Sequence, residues 1–199
     1  MAKPTNLKTI HSIIDSYYFS QEITLAAKRY YDQRRPHDDH LLVQKRGKLE
    51  GHKKNLAFFC VYQAHLSLHL PFNPQQLGEM MLIKKKKMGK ILSKYVLLGY
   101  EPVIYRYTAY DFLPQHMAYV GLPELALASL TAITKRVYDH QPDFHNKLPH
   151  KLSAAIIVRY HEINFMVLDL VKFLDKIGEK VPSVKSFVDQ VREADRSVG

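Results

Sequence analysis

The chain has one cysteine and no tryptophan in 199 residues. A lone cysteine excludes an intrachain disulfide and any zinc ribbon built from paired CxxC motifs. Cys60 sits in the apolar run LAFFCVY, where it reads as a small buried hydrophobe in an intracellular protein. No apolar run approaches the ~20 residues needed to span a bilayer. The first ten residues, MAKPTNLKTI, have no signal-peptide core, and no membrane association is expected. Also missing are GxGxxG, a phosphate-binding loop and GxSxG. His65 and His69 are four apart, as on one helix face, but no HExxH carboxylate stands between them. His37 and His40 fall in a polar stretch, and His161–Glu162 reads as a helix-surface pair. The expectation is a protein without catalysis, metal or cofactor.

Acid is scarce in one half only. Residues 1–100 hold 17 Lys and Arg against 7 Asp and Glu, whereas residues 101–199 hold 12 of each. All of the net charge of +10 therefore belongs to the first half. Lysines serving solubility alone would be spread evenly, so the split points to a polyanion partner for the first half.

Clean strand alternation is absent as well. Apolar residues recur at three and four, the helical period. Helices are expected at about 5–17, from Ser20 through AAKRYYDQ to Pro36, at 50–68, through QQLGEMM after an Asn73 cap, and from Lys84 through Met88, Ile91, Leu92 and Tyr95. Residues 36–50 read as a loop and 99–107 as a linker. Further helices are expected at about 108–120, from Pro123 to 140, 149–163, 165–177 and 182–195. The tyrosines at helical spacing, such as Tyr17, Tyr30 and Tyr62, are expected at helix interfaces with their hydroxyls reaching water.

A short pattern occurs twice. AAKRYYDQ at 26–33 returns as AITKRVYDH at 132–140, with Lys28, Arg29, Tyr31 and Asp32 each 107 residues before Lys135, Arg136, Tyr138 and Asp139. That offset is about half the chain, far beyond the ~20–50 residues of a solenoid repeat. The apolar third helices, NLAFFCVY and LSAAIIVR, match by pattern at an offset of 97. The reading is an all-α chain of two copies, 1–99 and 100–199, each with five helices.

Tandem five-helix repeats with an apolar third helix are the cyclin-box plan. Three stretches resemble the core domain of transcription factor IIB and its archaeal counterpart: LIKKKKMGKILSKY at 82–95, GLPELALASLTAITKRVYD at 121–139 and LPHKLSAAIIVRYH at 148–161. There are two departures. No zinc ribbon precedes the repeats in this sequence, and Phe58 and Phe59 replace the alanines usual in the third helix. Both departures fit a divergent relative, viral or archaeal. The resemblance implies a transcription-initiation adaptor that binds double-stranded promoter DNA and a TATA-binding-protein-like factor. The part that engages RNA polymerase would be missing, removed or supplied by another subunit. The location implied is the nucleus or a viral replication site in a eukaryote, or the cytoplasm of an archaeon.

The last two helices of each repeat would form a helix-turn-helix arrangement. Lys84, Lys85, Lys86, Lys87, Lys90 and Lys94 gather on the last helix of repeat one, four of them at its start, where phosphate is favoured. In the last helix of repeat two, Ser183, Lys185, Ser186 and Arg192 are the candidates for reading bases. Arg106 and Glu101 in the linker are candidates for the protein partner. Two other readings of the same fold are a cyclin-type regulatory partner of a protein kinase and a basic viral scaffold protein.

Overall fold

The computed structural model describes residues 9–34 and 49–196, and all structural statements below concern these. Among them are ten α-helices and no strand. None of these helices is long and apolar enough to cross a membrane. The chain divides into two compact units. The first comprises residues up to Leu70 together with Pro74–Tyr105; the second comprises Pro71–Asn73 and the residues from Arg106 onward.

The first unit contains α1 (Ile10–Asp15), α2 (Gln21–Arg34), α3 (Leu49–Ser67), α4 (Pro74–Met80) and α5 (Lys85–Leu97). Thr9 caps α1 by accepting from the Ser12 amide at 3.1 Å, and Ser20 does the same for Ile23 ahead of α2. α3 touches all four other helices because it is apolar around most of its circumference: Leu56 to Val61 are all buried. Phe58 and Phe59 are part of this core. The Phe59 ring meets Tyr30, Tyr95 and Tyr100 at centroid distances of 5.9, 5.3 and 5.8 Å. The tyrosine hydroxyls differ from the sequence expectation. Tyr30 donates to the Glu101 carbonyl and Tyr95 to the His52 carbonyl, so part-buried backbone acceptors satisfy them. The Val103 amide donates to Gln63 Oε1 at 2.7 Å, which ties the segment after α5 to α3.

The second unit contains α6 (Ala109–Val120), α7 (Ala126–His140), a 3-10 turn (Pro142–Asn146), α8 (Pro149–Ile163), α9 (Leu170–Lys176) and α10 (Val181–Arg196). The Asp111 carboxylate accepts from the backbone N–H and hydroxyl of Thr108 at the start of α6. α8 is central, packed by α6, α7 and α10, with Leu152 to Val158 buried. α7 begins at Ala126 rather than Pro123, whose carbonyl starts the preceding turn. Asn73 uses its side-chain amide on the Ile177 carbonyl, 2.9 Å away.

The two units end their helices alike. α3 closes with Leu70 N–H on His65 O and His69 N–H on Leu66 O; α8 closes with Met166 on His161 and Phe165 on Glu162. This paired bonding is the Schellman termination, and His69 and Phe165 take its left-handed position at φ 55 and 53. α4 and α9 close the same way at Leu82 and Gly178. Both pairs, His69 with Phe165 and Leu82 with Gly178, are 96 residues apart. The turns opening α5 and α10, Lys87 onto Lys84 and Ser183 onto Lys180, keep that offset. The register of these three helices is thus 96, not the 97 read from apolar pattern. Against the 107 of α2 and α7, the first unit has eleven more residues between matched positions of its second and third helices. The left-handed turn at Phe165 also explains why α9 starts at Leu170, later than its apolar pattern indicates.

Candidate nucleic-acid interface

α5 is a helix because Met88, Ile91, Leu92 and Tyr95 fall at its inward spacing; Ile91 and Tyr95 are buried and the other two half-buried. Gly78 lets α4 sit close, since a Cβ there would stand 2.4 Å from Met88 Sδ. This packing leaves the opposite face of α5 in water. Lys84 occupies the N-cap without a side-chain cap bond, Lys85, Lys86 and Lys87 form the first turn, and no acidic residue accompanies them. All four, with Lys90, are exposed and make no ion pair among the described residues. Lys94 is exposed as well, with Nζ 3.2 Å from His52 Nδ1 and 5.7 Å from the Tyr95 ring centre. Lys87, Lys90 and Lys94 follow at spacings of three and four, so they share one stripe. The first-turn amides of α5 ahead of Lys87, whose own amide bonds the Lys84 carbonyl, belong to a helix end that carries partial positive charge. Ammonium groups and amides together make a surface that phosphate oxygens would satisfy.

The second unit is built otherwise. At the positions 96 residues after Lys84–Lys87 and Lys90 stand Lys180, Val181, Pro182, Ser183 and Ser186, so one cation of five remains. Several of its other cations are matched by carboxylates. Arg136 and Arg159 share Asp195, Lys151 lies 3.3 Å from Glu179, and Arg192 bonds both Glu162 and Asp189. Two sequence candidates have carboxylate partners within the unit. The Arg192 guanidinium is held by Glu162 and Asp189, and the Ser183 hydroxyl donates to Glu179 at 2.6 Å. Glu162 is held below the usual carboxylate range by its hydrogen bonds from Arg192, and Arg192 is raised by the same bonds. Lys185 and Ser186 remain exposed on α10.

Glu101 pairs with Arg34 at 3.1 Å, and Arg106 is exposed at the start of the second unit. His65 and His69 do not share a helix face. α3 ends at Ser67, His65 is buried, and His69 turns left-handed to lie 4.1 Å from the Tyr105 ring. His161 is not at the surface either; it is buried with Nδ1 2.8 Å from the Ile157 carbonyl. His37 and His40 lie outside the described residues. The carboxylate network of α10 escaped the sequence reading because its partners are 36 and 59 residues away in the chain. No protein-family model matches the chain, and no curated protein matches it in sequence.

Proposed function

We propose that the protein is a non-catalytic adaptor of transcription initiation. In this reading its two units are cyclin-box repeats of the transcription factor IIB type. The first unit holds duplex DNA through the basic end of α5. The molecule also engages a TATA-binding-protein-like factor, and RNA polymerase is recruited through another subunit. The observation that carries the reading is the run Lys84 to Lys87 with Lys90, exposed and unmatched by acid at the positive end of a helix. Such an arrangement repels itself and is relieved by phosphate. The 96-residue recurrence of helix ends supports a duplicated five-helix unit. Arg192 is a structural cation in this reading, and Lys185 is the remaining second-unit contact.

The test is binding to a TATA-containing duplex across a salt series, with and without a TATA-binding protein. Each phosphate contact made by a lysine adds roughly 0.9 to the log–log salt slope. Ternary association much tighter than binary supports the adaptor. Absence of duplex binding at low salt sinks it.

A further inference from the structure

The turn between α4 and α5 holds an apolar side chain in water, and its counterpart in the second unit does not. Leu82 is exposed and takes a left-handed φ of 51°. Its neighbours fix it there. Met81 and Ile83 are buried on either side of it. The Leu82 amide bonds the Glu79 carbonyl at 2.9 Å, and the Ile83 amide bonds the Gly78 carbonyl at 2.6 Å. Leu82 therefore stands on an anchored backbone, not on a loose loop. Met80, two residues earlier, is exposed as well. The next exposed residue after Leu82 is Lys84, and Lys85, Lys86, Lys87 and Lys90 continue from it. The Glu79 carboxylate is turned back along α4, where it accepts from Gln75 at 3.1 Å.

The same turn 96 residues later has neither the apolar tip nor the lysines. Gly178 takes the left-handed position at φ 70°, Lys176 stands at the place of Met80, and Glu179, Lys180, Val181, Pro182 and Ser183 follow. The copy without the lysine run thus has the residue that its backbone angle favours, and the copy with the run has a leucine. That leucine is unfavourable in two ways: a side chain at a left-handed φ, and apolar surface left in water. Packing within the unit offsets neither, because the side chain is exposed. The compensation is to be sought outside the fold.

We propose that Leu82 is a wedge that enters the minor groove of duplex DNA and unstacks one base step, while Lys84 to Lys87 hold the flanking phosphates. The inference rests on the DNA-binding reading above and adds a specificity-determining residue to it. Apolar side chains inserted between bases kink a duplex, and pyrimidine–purine steps such as TA open most easily. The wedge therefore reads sequence without a hydrogen bond to any base. One side chain suffices to open a step, whereas a lipid surface calls for a broad apolar face. α5 offers no such face, since its stripe of Met88, Ile91, Leu92 and Tyr95 turns inward. The exposed Val96 and Leu97 lie at its far end, about 18 Å along the axis from Lys85.

The test uses the full chain and two duplexes, with no other protein present. One is an unbroken purine run on one strand; the other carries a single TA step in that run, with 2-aminopurine for its adenine. Binding should raise the 2-aminopurine fluorescence, and the TA duplex should bind about tenfold tighter, the worth of one buried leucine. Leu82→Gly keeps every lysine and suits the turn. It should bind both duplexes equally, with the wild-type salt slope and no rise in fluorescence. Duplex binding without the rise, or a rise unchanged in Leu82→Gly, overturns the wedge and leaves the DNA-binding reading standing. Absence of duplex binding at low salt overturns both. Association with phosphatidylserine vesicles that Leu82→Gly abolishes assigns the leucine to a lipid surface and overturns the wedge equally. Urea unfolding of Leu82→Gly, expected to show no loss of stability, excludes misfolding as the cause.

Discussion

Leu82 and Gly178 close α4 and α9 with the same left-handed turn, 96 residues apart, and only the second is a glycine. Leu82 holds φ 51 with 78% of its surface exposed, so its side chain gains little from the position. The left-handed region costs a non-glycine residue about 1–2 kcal/mol, against which glycine's added unfolded-state entropy counts about 0.5–1. Leu82→Gly is therefore expected to stabilise the first unit by roughly 0.5–1 kcal/mol. Phe165→Gly should do the same for the second unit. Urea unfolding at constant m-value checks both, and a loss of stability would contradict the argument.

Asp195 holds two guanidinium groups from two helices. Burial alone would raise its carboxyl, but the hydrogen bonds from Arg136 and Arg159 outweigh that and hold it below the usual range. Asp195→Asn keeps the shape and leaves two arginines facing a neutral amide. The arginines are partly exposed, at 34% and 16%, so the expected loss is discounted to about 1–3 kcal/mol. A depressed carboxyl contributes stability above its unfolded value, lost as pH falls through the folded one. The variant should accordingly lose part of the wild type's acid sensitivity below about pH 4.

His116 sets a second pH dependence with a different window. It is buried among Phe112, Tyr119 and Phe173, and burial, helped by His150, pushes it down to about 3. The unfolded chain takes up this proton below about 6.5 and the folded one does not. Stability is then complete above that pH and falls on acidification, by about 1.4 kcal/mol per pH unit. From pH 6.5 to 5 the wild type should lose ~2 kcal/mol through this residue. His116→Phe should flatten that slope; an unchanged slope would remove His116 as the cause.

Charge reversal of Lys84–Lys87 to glutamate separates function from folding. Acidic residues suit the first turn of a helix, so the melting temperature should rise by roughly 2–4 °C. Duplex association should fall and its salt slope shrink. A variant that melts lower than wild type would show that the lysines serve the fold.

The parts legible in the sequence are those a period or a local cap encodes. The stripe of Met88, Ile91, Leu92 and Tyr95 and the Ser20 cap stand where the spacing puts them. The lysine run is legible because exposure follows from that stripe. The exact register of α3 on α8 was not, because small apolar residues tolerate a slip of one. Their common register lies in backbone turns at His69, Leu82 and Phe165, none of them the glycine that marks such a turn in a sequence. Ion pairs spanning 30 or more residues, such as Arg192 with Glu162, leave no local mark either.

Cys60 gives the molecule a built-in clock. It is fully buried in α3, at the centre of the first unit, and burial pushes its thiol pKa up. A thiol reagent can reach it only when that unit opens. Since no second sulfhydryl exists, the labelling rate reads the opening free energy of one half of the chain. Circular dichroism reads both halves at once. Run together on one sample, the two signals would time the unfolding of each unit separately, without cutting the chain or adding a dye.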